Sequence, residues 1–254
     1  MKKVIIINAS DLAACVGRNP FKSQADCVQE YFARFLLPKG APAPMTKRKR
    51  TEDAFEALKE TAPETYTACV TALRAPLTTS VDVLEQAGVT EDALKKNAAV
   101  SDEVRADIIS LMKNSLFTRF GTEQEEPVRA AMPDRPVKTD AFVKRLLYSD
   151  DEYDVYVGGR CDGVVYDEDG AARIIEIKNR IRRLYNNVPE YERVQMMAYL
   201  YINNVERGEL VERHRANVAR HEVSFDPSFW EGITADARRF VECLTRFGGD
   251  AASP

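Results

Sequence analysis

The chain has 254 residues, 44% of them hydrophobic, and a formal net charge of −4. That length and apolar content suffice for a substantial core in one elaborated domain over residues 1–254, while no stretch approaches the ~20 apolar residues of a membrane span. Five cysteines, never in a Cys-x-x-Cys pair, and only two histidines, His214 and His221, point to reduced thiols inside a cell, in cytoplasm or nucleus, and argue against zinc. The acidic balance counts mildly against nucleic-acid binding. Distribution matters more than the sum, however. Basic residues cluster at 47–50, at Arg180, Arg182 and Arg183, and at 213–220, so a locally basic groove is feasible.

Met1-Lys2-Lys3 followed by Val4-Ile5-Ile6-Ile7 has the look of a signal peptide, but the apolar run ends at Asn8 and is too short. Residues 3–7 predict an extended segment. Ser10 then caps a short helix ending at Gly17, a terminus suited to an anion. Residues 25–37 put Val28, Tyr31, Phe32 and Phe35 on one side of a packing helix. Three prolines in residues 38–46 mark a loop. The basic run at 47–50 reads as a nuclear localisation signal, a phosphate contact or a solvated turn before a helix. Residues 51–120 alternate helical patterns with breaks at Ala62-Pro63 and near Gly88. They predict a helical insertion whose role the residues leave open between substrate clamping, oligomer contacts and support. In the stretch that Gly121 opens, Thr122-x-x-Glu125 is a capping box, which by itself explains Glu125 as the start of a helix.

Residues 142–148 predict a strand leading into residues 155–179, the most informative stretch. Val, Ile and Tyr alternate on both sides of Glu168-Asp169-Gly170, and Gly170 ends a three-residue hairpin loop by taking the left-handed conformation. Asp167 then pairs with Ala171, and counting down the ladder sets Asp162 opposite Glu176, with Cβ atoms about 4.5–5.5 Å apart. Glu176 and Lys178 share that face, while Ile175 and Ile177 point into the opposite layer. Two acids this close raise one another's pKa unless a cation sits between them, and hard oxygen ligands suit Mg²⁺ or Mn²⁺. A solvated face with a Lys178 salt bridge is the plainer alternative. The flanking Ile174, Ile175 and Ile177 favour the metal, because they mark a strand buried on both faces. By alternation Arg160 lies on the Asp162 face, to hold a phosphate or a carboxylate, and Gly158-Gly159 permits close approach of substrate or another backbone, or a bulge. A helix over residues 190–202 carries Gln195, with Tyr191 and Tyr199 at helical spacing as core or groove wall. Two strands around Asn217 and a terminal amphipathic helix with Trp230 complete the chain.

The order of these motifs, Asn8-Ala9-Ser10-Asp11, Gly121-Thr122-Glu123-Gln124-Glu125, Asp162 with Glu176-Ile177-Lys178, then Val194-Gln195, resembles the PD-(D/E)XK nucleases, specifically the lambda exonuclease and YqaJ-like viral recombinase group. The resemblance implies an α/β fold with a restriction-endonuclease-like core, a central mixed β-sheet flanked by helices, plus the helical insertion at about 51–120. It implies a metal-dependent exonuclease on linear duplex DNA, 5′ to 3′, in recombination or replication. Asp162, Glu176, the Ile177 carbonyl and Glu125, with Glu126 as fallback, would hold Mg²⁺ or Mn²⁺. Lys178 would orient or deprotonate the water, Gln195 would hold that water or the phosphate, and Ser10 with Lys3 would meet the terminal phosphate. Lysine stands at position 3 where lambda exonuclease has an arginine, so a bidentate phosphate contact is lost. Arg160 and Arg180 are further phosphate candidates. The cysteine spacing lacks the pattern of relatives that hold an iron–sulfur cluster. The implied partners are double-stranded DNA ends, a single-strand annealing protein and further copies of the chain in a homotrimer. A structure-specific endonuclease and a non-catalytic DNA-end-binding scaffold are the competing readings.

Overall fold

The computed structural model describes residues 2–97, 100–168 and 170–251. Among the described residues seven strands form two mixed sheets. In the first, β1 (Lys3–Asn8) runs parallel to β3 (Tyr153–Gly159), whose other edge pairs antiparallel with β2 (Val143–Ser149). In the second, β4 (Gly163–Tyr166) is antiparallel to β5 (Ala172–Asn179), β5 is parallel to β6 (Arg207–His214), and β6 is antiparallel to β7 (Asn217–Ser224). The stretch expected to form one long hairpin strand is therefore divided. The chain leaves β3 at Gly159, turns through Arg160, Cys161 and Asp162, and re-enters as β4. A strand has two edges, and β3 spends both on β1 and β2, which leaves none for β5. Within the hairpin the expected register holds. Gly163 pairs with Ile175 and Tyr166 with Ala172, so Asp162 falls opposite Glu176 one step beyond the ladder. Asp167 N–H donates to the Ala171 carbonyl at 2.9 Å and Gly170 has φ +81°; Asp169 of that turn lies outside the described residues.

The β-branched runs explain where the strands sit. Ile5 and Ile7 of β1 and Val155 and Val157 of β3 are fully buried in the main core, together with Ile174 of β5. Ile175 and Ile177 face the other way, onto Val128 of α7 (Glu125–Ala131) and Met132 just after it, so β5 is buried on both faces. Two helices cover the first side, α1 (Ala9–Cys15) and α8 (Glu190–Asn203), with α2 (Gln24–Tyr31) outside them. The terminal α9 (Pro227–Ala251) buries Trp230, Ile233, Ala237, Phe240, Val241 and Leu244, a helical i, i+3, i+4 stripe.

The insertion consists of α3 (Lys47–Thr61), α4 (Pro63–Arg74), α5 (Ser80–Lys95) and α6 (Asp102–Glu123). It has a cluster of its own, Phe55, Leu58, Cys69, Leu94, Ile108 and Met112. The break at Ala62 is present, but Gly88 lies inside α5. A capping box between Thr79 and Asp82 starts that helix, and burial of Val83, Ala87 and Leu94 outweighs the ~1 kcal/mol that an interior glycine costs. The basic run forms the first turn of α3 behind the Thr46 cap, and Lys47, Arg48 and Lys49 pair with Asp107, Glu52 and Asp53. Among the described residues no helix is long and apolar enough to cross a membrane. All five cysteines are free thiols.

Candidate active site

The site forms where β5 passes the end of β4. Ile177 N–H, two steps past the β4 ladder, donates to Asp162 Oδ2 at 2.7 Å, so the aspartate side chain takes over where the strand stops. Side-chain alternation puts Glu176 and Lys178 together on the α8 side. Lys178 Nζ donates to Glu176 Oε1 at 2.8 Å and to Gln195 Oε1 at 3.0 Å. Gln195 Nε2 closes the triangle on Glu176 Oε1 at 2.9 Å and also donates to the Tyr199 hydroxyl at 3.1 Å, one helical turn on. Glycine at 159 makes this possible. A Cβ there would stand 2.9 Å from the Tyr199 ring and 3.1 Å from Ala9 Cβ, so the close approach expected at Gly158-Gly159 is made by side chains: those of α8 and α1 at Gly159, and those of Phe142 and Lys144 at Gly158.

Glu125 reaches the site from the start of α7. The expected capping box is not formed: Thr122 lies inside α6, which runs on through Gly121, and Gln124 is the junction residue with no side-chain cap bond. Glu125 thus loses its purely structural role. The motif is anchored by Asn179, whose Nδ2 donates to the Gly121 carbonyl at 3.0 Å. Glu126, the fallback, is exposed and paired with Arg129. Buried Arg129 was not singled out from the sequence; its Nη1 donates to the Asp162 carbonyl at 2.8 Å and fixes the β3–β4 connection. Its only signal was helical spacing four residues after Glu125.

The charges are held at high energy. Burial pushes the Glu176 carboxyl up to about 8, opposed by Lys178, with Asp162 raising it further. Burial, then the charge of Asp162, pushes Glu125 up to about 7. Asp162 is raised by burial against the pull of the Ile177 N–H. Burial opposes the Lys178 charge, but Glu176 outweighs it and keeps the ammonium protonated. One carboxylate oxygen, Glu176 Oε2, is buried with no hydrogen-bond partner. That orphaned oxygen and an all-oxygen donor set fit a hard divalent cation. Among the described residues no three His, Cys, Asp or Glu side chains converge to metal-binding distances. The arrangement is therefore a carboxylate pair, Asp162 and Glu176, on which Glu125 acts through its charge.

The phosphate candidates fare differently. Ser10 is not the cap. Asn8 holds that position, extended at φ −69° and ψ 138° with its amide on Asp11, and Ser10 is exposed in the first turn of α1. Lys3 is at the opposite end of β1, beside Tyr153, about 16 Å of strand from Asn8. Arg160 is exposed on the β3–β4 connection and, among the described residues, makes no ion pair. Arg180 is the clear correction. Its guanidinium forks onto Glu192 at 2.7 and 2.6 Å, also pairs with Glu212, and its side chain is 12% exposed, so its donors are already taken.

A family model for the YqaJ-like viral recombinase domain matches residues 1–206. No curated protein matches the chain. Among solved structures, the chain is similar to a phage related exonuclease from Haemophilus somnus, with 12% identity, TM-score 0.40, and 98% of this chain and 97% of that one covered. It is similar also to an alkaline exonuclease from Laribacter hongkongensis, with 13% identity, TM-score 0.39, and 73% and 91% covered.

Proposed function

The chain belongs to the YqaJ-like viral recombinase domain family, and on that premise we propose a metal-dependent exonuclease that shortens one strand of linear duplex DNA from its 5′ end. The observation that carries the reading is Glu176, 4% exposed, with one oxygen shared by Lys178 and Gln195 and the other without a partner. An isolated strand salt bridge gives no reason to bury an orphaned carboxylate oxygen beside a second carboxylate. Asp162, Glu176, the Ile177 carbonyl and Glu125 would hold Mg²⁺, with Mn²⁺ able to substitute. Bound there, the ion supplies a water of lowered pKa and neutralises charge on the phosphate.

The protein's own groups do the rest. Lys178, protonated beside Glu176, orients the attacking water and stabilises charge growing on the phosphoryl oxygens, a kind of interaction worth about 3 kcal/mol. Gln195 fixes the Lys178 ammonium and is itself fixed by Tyr199. The water oxygen bonds to phosphorus in line as the P–O3′ bond breaks. It gives up one proton, the departing 3′ oxygen takes one up, and a 5′-phosphate and a 3′-hydroxyl remain. The reading extends to an intracellular enzyme of one nuclease domain over 1–254 bearing the α3–α6 insertion, assembled as a homotrimer and feeding single strands to an annealing protein in viral or phage recombination.

The test is digestion of linear duplex DNA, 5′-phosphorylated at one labelled end, beside a covalently closed circle, in Mg²⁺ and in EDTA, with K178A as control. Metal-dependent loss from the 5′ end of the linear DNA, abolished by K178A, is the expected result. Cutting of the circle would make the enzyme an endonuclease, and binding of ends without cleavage a scaffold.

A further inference from the structure

Two basic segments far apart in sequence meet beside the site. β5 pairs in parallel with β6 up to Asn179 opposite Arg213, and the pairing continues one step, Arg180 N–H donating to the Arg213 carbonyl at 2.7 Å. The chain then turns at Ile181, which packs on the Leu116–Phe120 cluster and leaves Arg182 and Arg183 exposed. At the same end of the sheet Arg213 stands one residue before the end of β6 and Arg215 begins the turn into β7. Arg213 is tied back by Nε to the Arg215 carbonyl at 3.1 Å and by Nη1 to Gln124 Oε1 at 3.5 Å. Gln124 directly precedes Glu125, so this patch borders the carboxylate site.

Ion pairing separates these four arginines from their neighbours. Arg129, Arg173, Arg180 and Arg220 are each held by carboxylates. Among the described residues Arg182, Arg183, Arg213 and Arg215 pair with none. In a chain of net charge −4, four guanidinium groups without a carboxylate partner beside an acidic site make a local basic patch suited to an outside anion. We infer that Arg182, Arg183 and Arg215, with Arg213 as their support, form the track that holds the phosphate backbone of duplex DNA leading to the site. Arg182 follows Lys178 by four residues, at most about 14 Å of extended chain, which corresponds to a few phosphates at 3.4 Å per strand step. The track reads backbone charge and not the terminal phosphate. The inference rests on the nuclease reading above.

The test uses the full chain and the triple variant R182Q/R183Q/R215N, asparagine at 215 because that residue has φ +56°. Arg213 stays, since it braces Gln124. Binding of duplexes with and without a 5′-phosphate is followed by fluorescence anisotropy in Ca²⁺ across a salt series, beside cleavage in Mg²⁺. The expected result is affinity at least tenfold weaker at about 0.1 M salt, equally for both ends, and a log–log salt slope smaller by about 2–3. The lysine triple variant, R182K/R183K/R215K, restores most of the slope. Unchanged affinity of the triple variant, beside a wild type that cleaves, would overturn the track and leave the nuclease standing. Loss confined to the 5′-phosphorylated duplex would overturn it in favour of an end site. A wild type that neither binds nor cuts duplex DNA would sink both.

Discussion

Glu125 and Glu176 illustrate how burial stores unfavourable charge for a cation to relieve. Glu125 titrates at about 7 in the folded chain against an ordinary 4.5. A carboxyl whose folded pKa is raised favours folding below the unfolded value, and that advantage is lost as pH climbs through the folded one. Without metal, stability should therefore fall between about pH 4.5 and pH 7 on account of this residue. E125Q should raise the stability of the chelated protein near pH 8 by about 1–3 kcal/mol and leave it unchanged near pH 4, measured by urea denaturation. Added Mg²⁺ should stabilise the wild type more near pH 8 than near pH 5, and E125Q less than the wild type. A variant no more stable than wild type at the higher pH would show that Glu125 is not desolvated beside Asp162. At Gln195 the expectation is kinetic. Q195A removes the bond that orients Lys178 and should lower the cleavage rate ten- to a hundredfold, whereas Y199F, which keeps the ring on Gly159, should lose less than threefold.

At the scale of elements, the link between β5, β6 and α8 is a buried ion-pair cluster. Arg180 from the end of β5 holds Glu192 of α8 and Glu212 of β6, both nearly inaccessible, and His221 Nε2 stands 3.1 Å from Glu212 Oε2. Removing the arginine strands two buried carboxylates, so R180M should cost about 3–5 kcal/mol by urea denaturation, while R180M/E192L/E212L should recover much of that loss. A triple variant no better than the single would mean that shape, and not charge, sets the joint. This joint also shows what the sequence could reveal. The pairing of Asp162 with Glu176 was legible, because Gly170 and the alternation of Val and Ile fix the hairpin register locally. Arg180 was misread as a phosphate ligand, because its two partners stand 12 and 32 residues downstream and only the fold brings them to it. The division of β3 from β4 was hidden for a similar reason, since it depends on β1, about 150 residues away in sequence, taking the edge that the hairpin was expected to use. The Thr122–Glu125 capping box failed because α6 carries on past Gly121, where an added Cβ would meet nothing and the helix has no steric cause to stop.

Taken whole, the molecule buries its apolar side chains in a main core under β1, β3, α1, α8 and α9 and in a separate cluster within α3 to α6. What joins them is small: Leu77, Val83, Ala87, Leu116 and Phe120 with Ile181 packed alongside, the Asn179 bond to Gly121, and Gln124 Nε2 donating to the Leu77 carbonyl at 3.4 Å. Contacts of this extent would let the insertion open below the global unfolding free energy if no element spanned both regions. Leu94 is fully buried in the insertion cluster, and L94A should cost about 2–5 kcal/mol there. Hydrogen exchange decides how that loss spreads. If the insertion is its own cooperative unit, amides of α3 to α5 gain exchange in L94A while β1, β3 and α8 keep their protection. If the chain unfolds as one domain, protection falls everywhere by the same free energy. The second outcome is expected, because α6 belongs to both regions: Ile108 and Met112 serve the insertion, Leu116 and Phe120 serve the joint, and the helix ends at the Gln124 junction that starts Glu125 toward the site. Because one 22-residue helix carries both sets of contacts, damage at Leu94 should also weaken DNA cleavage, through Glu125, without touching any residue of the site.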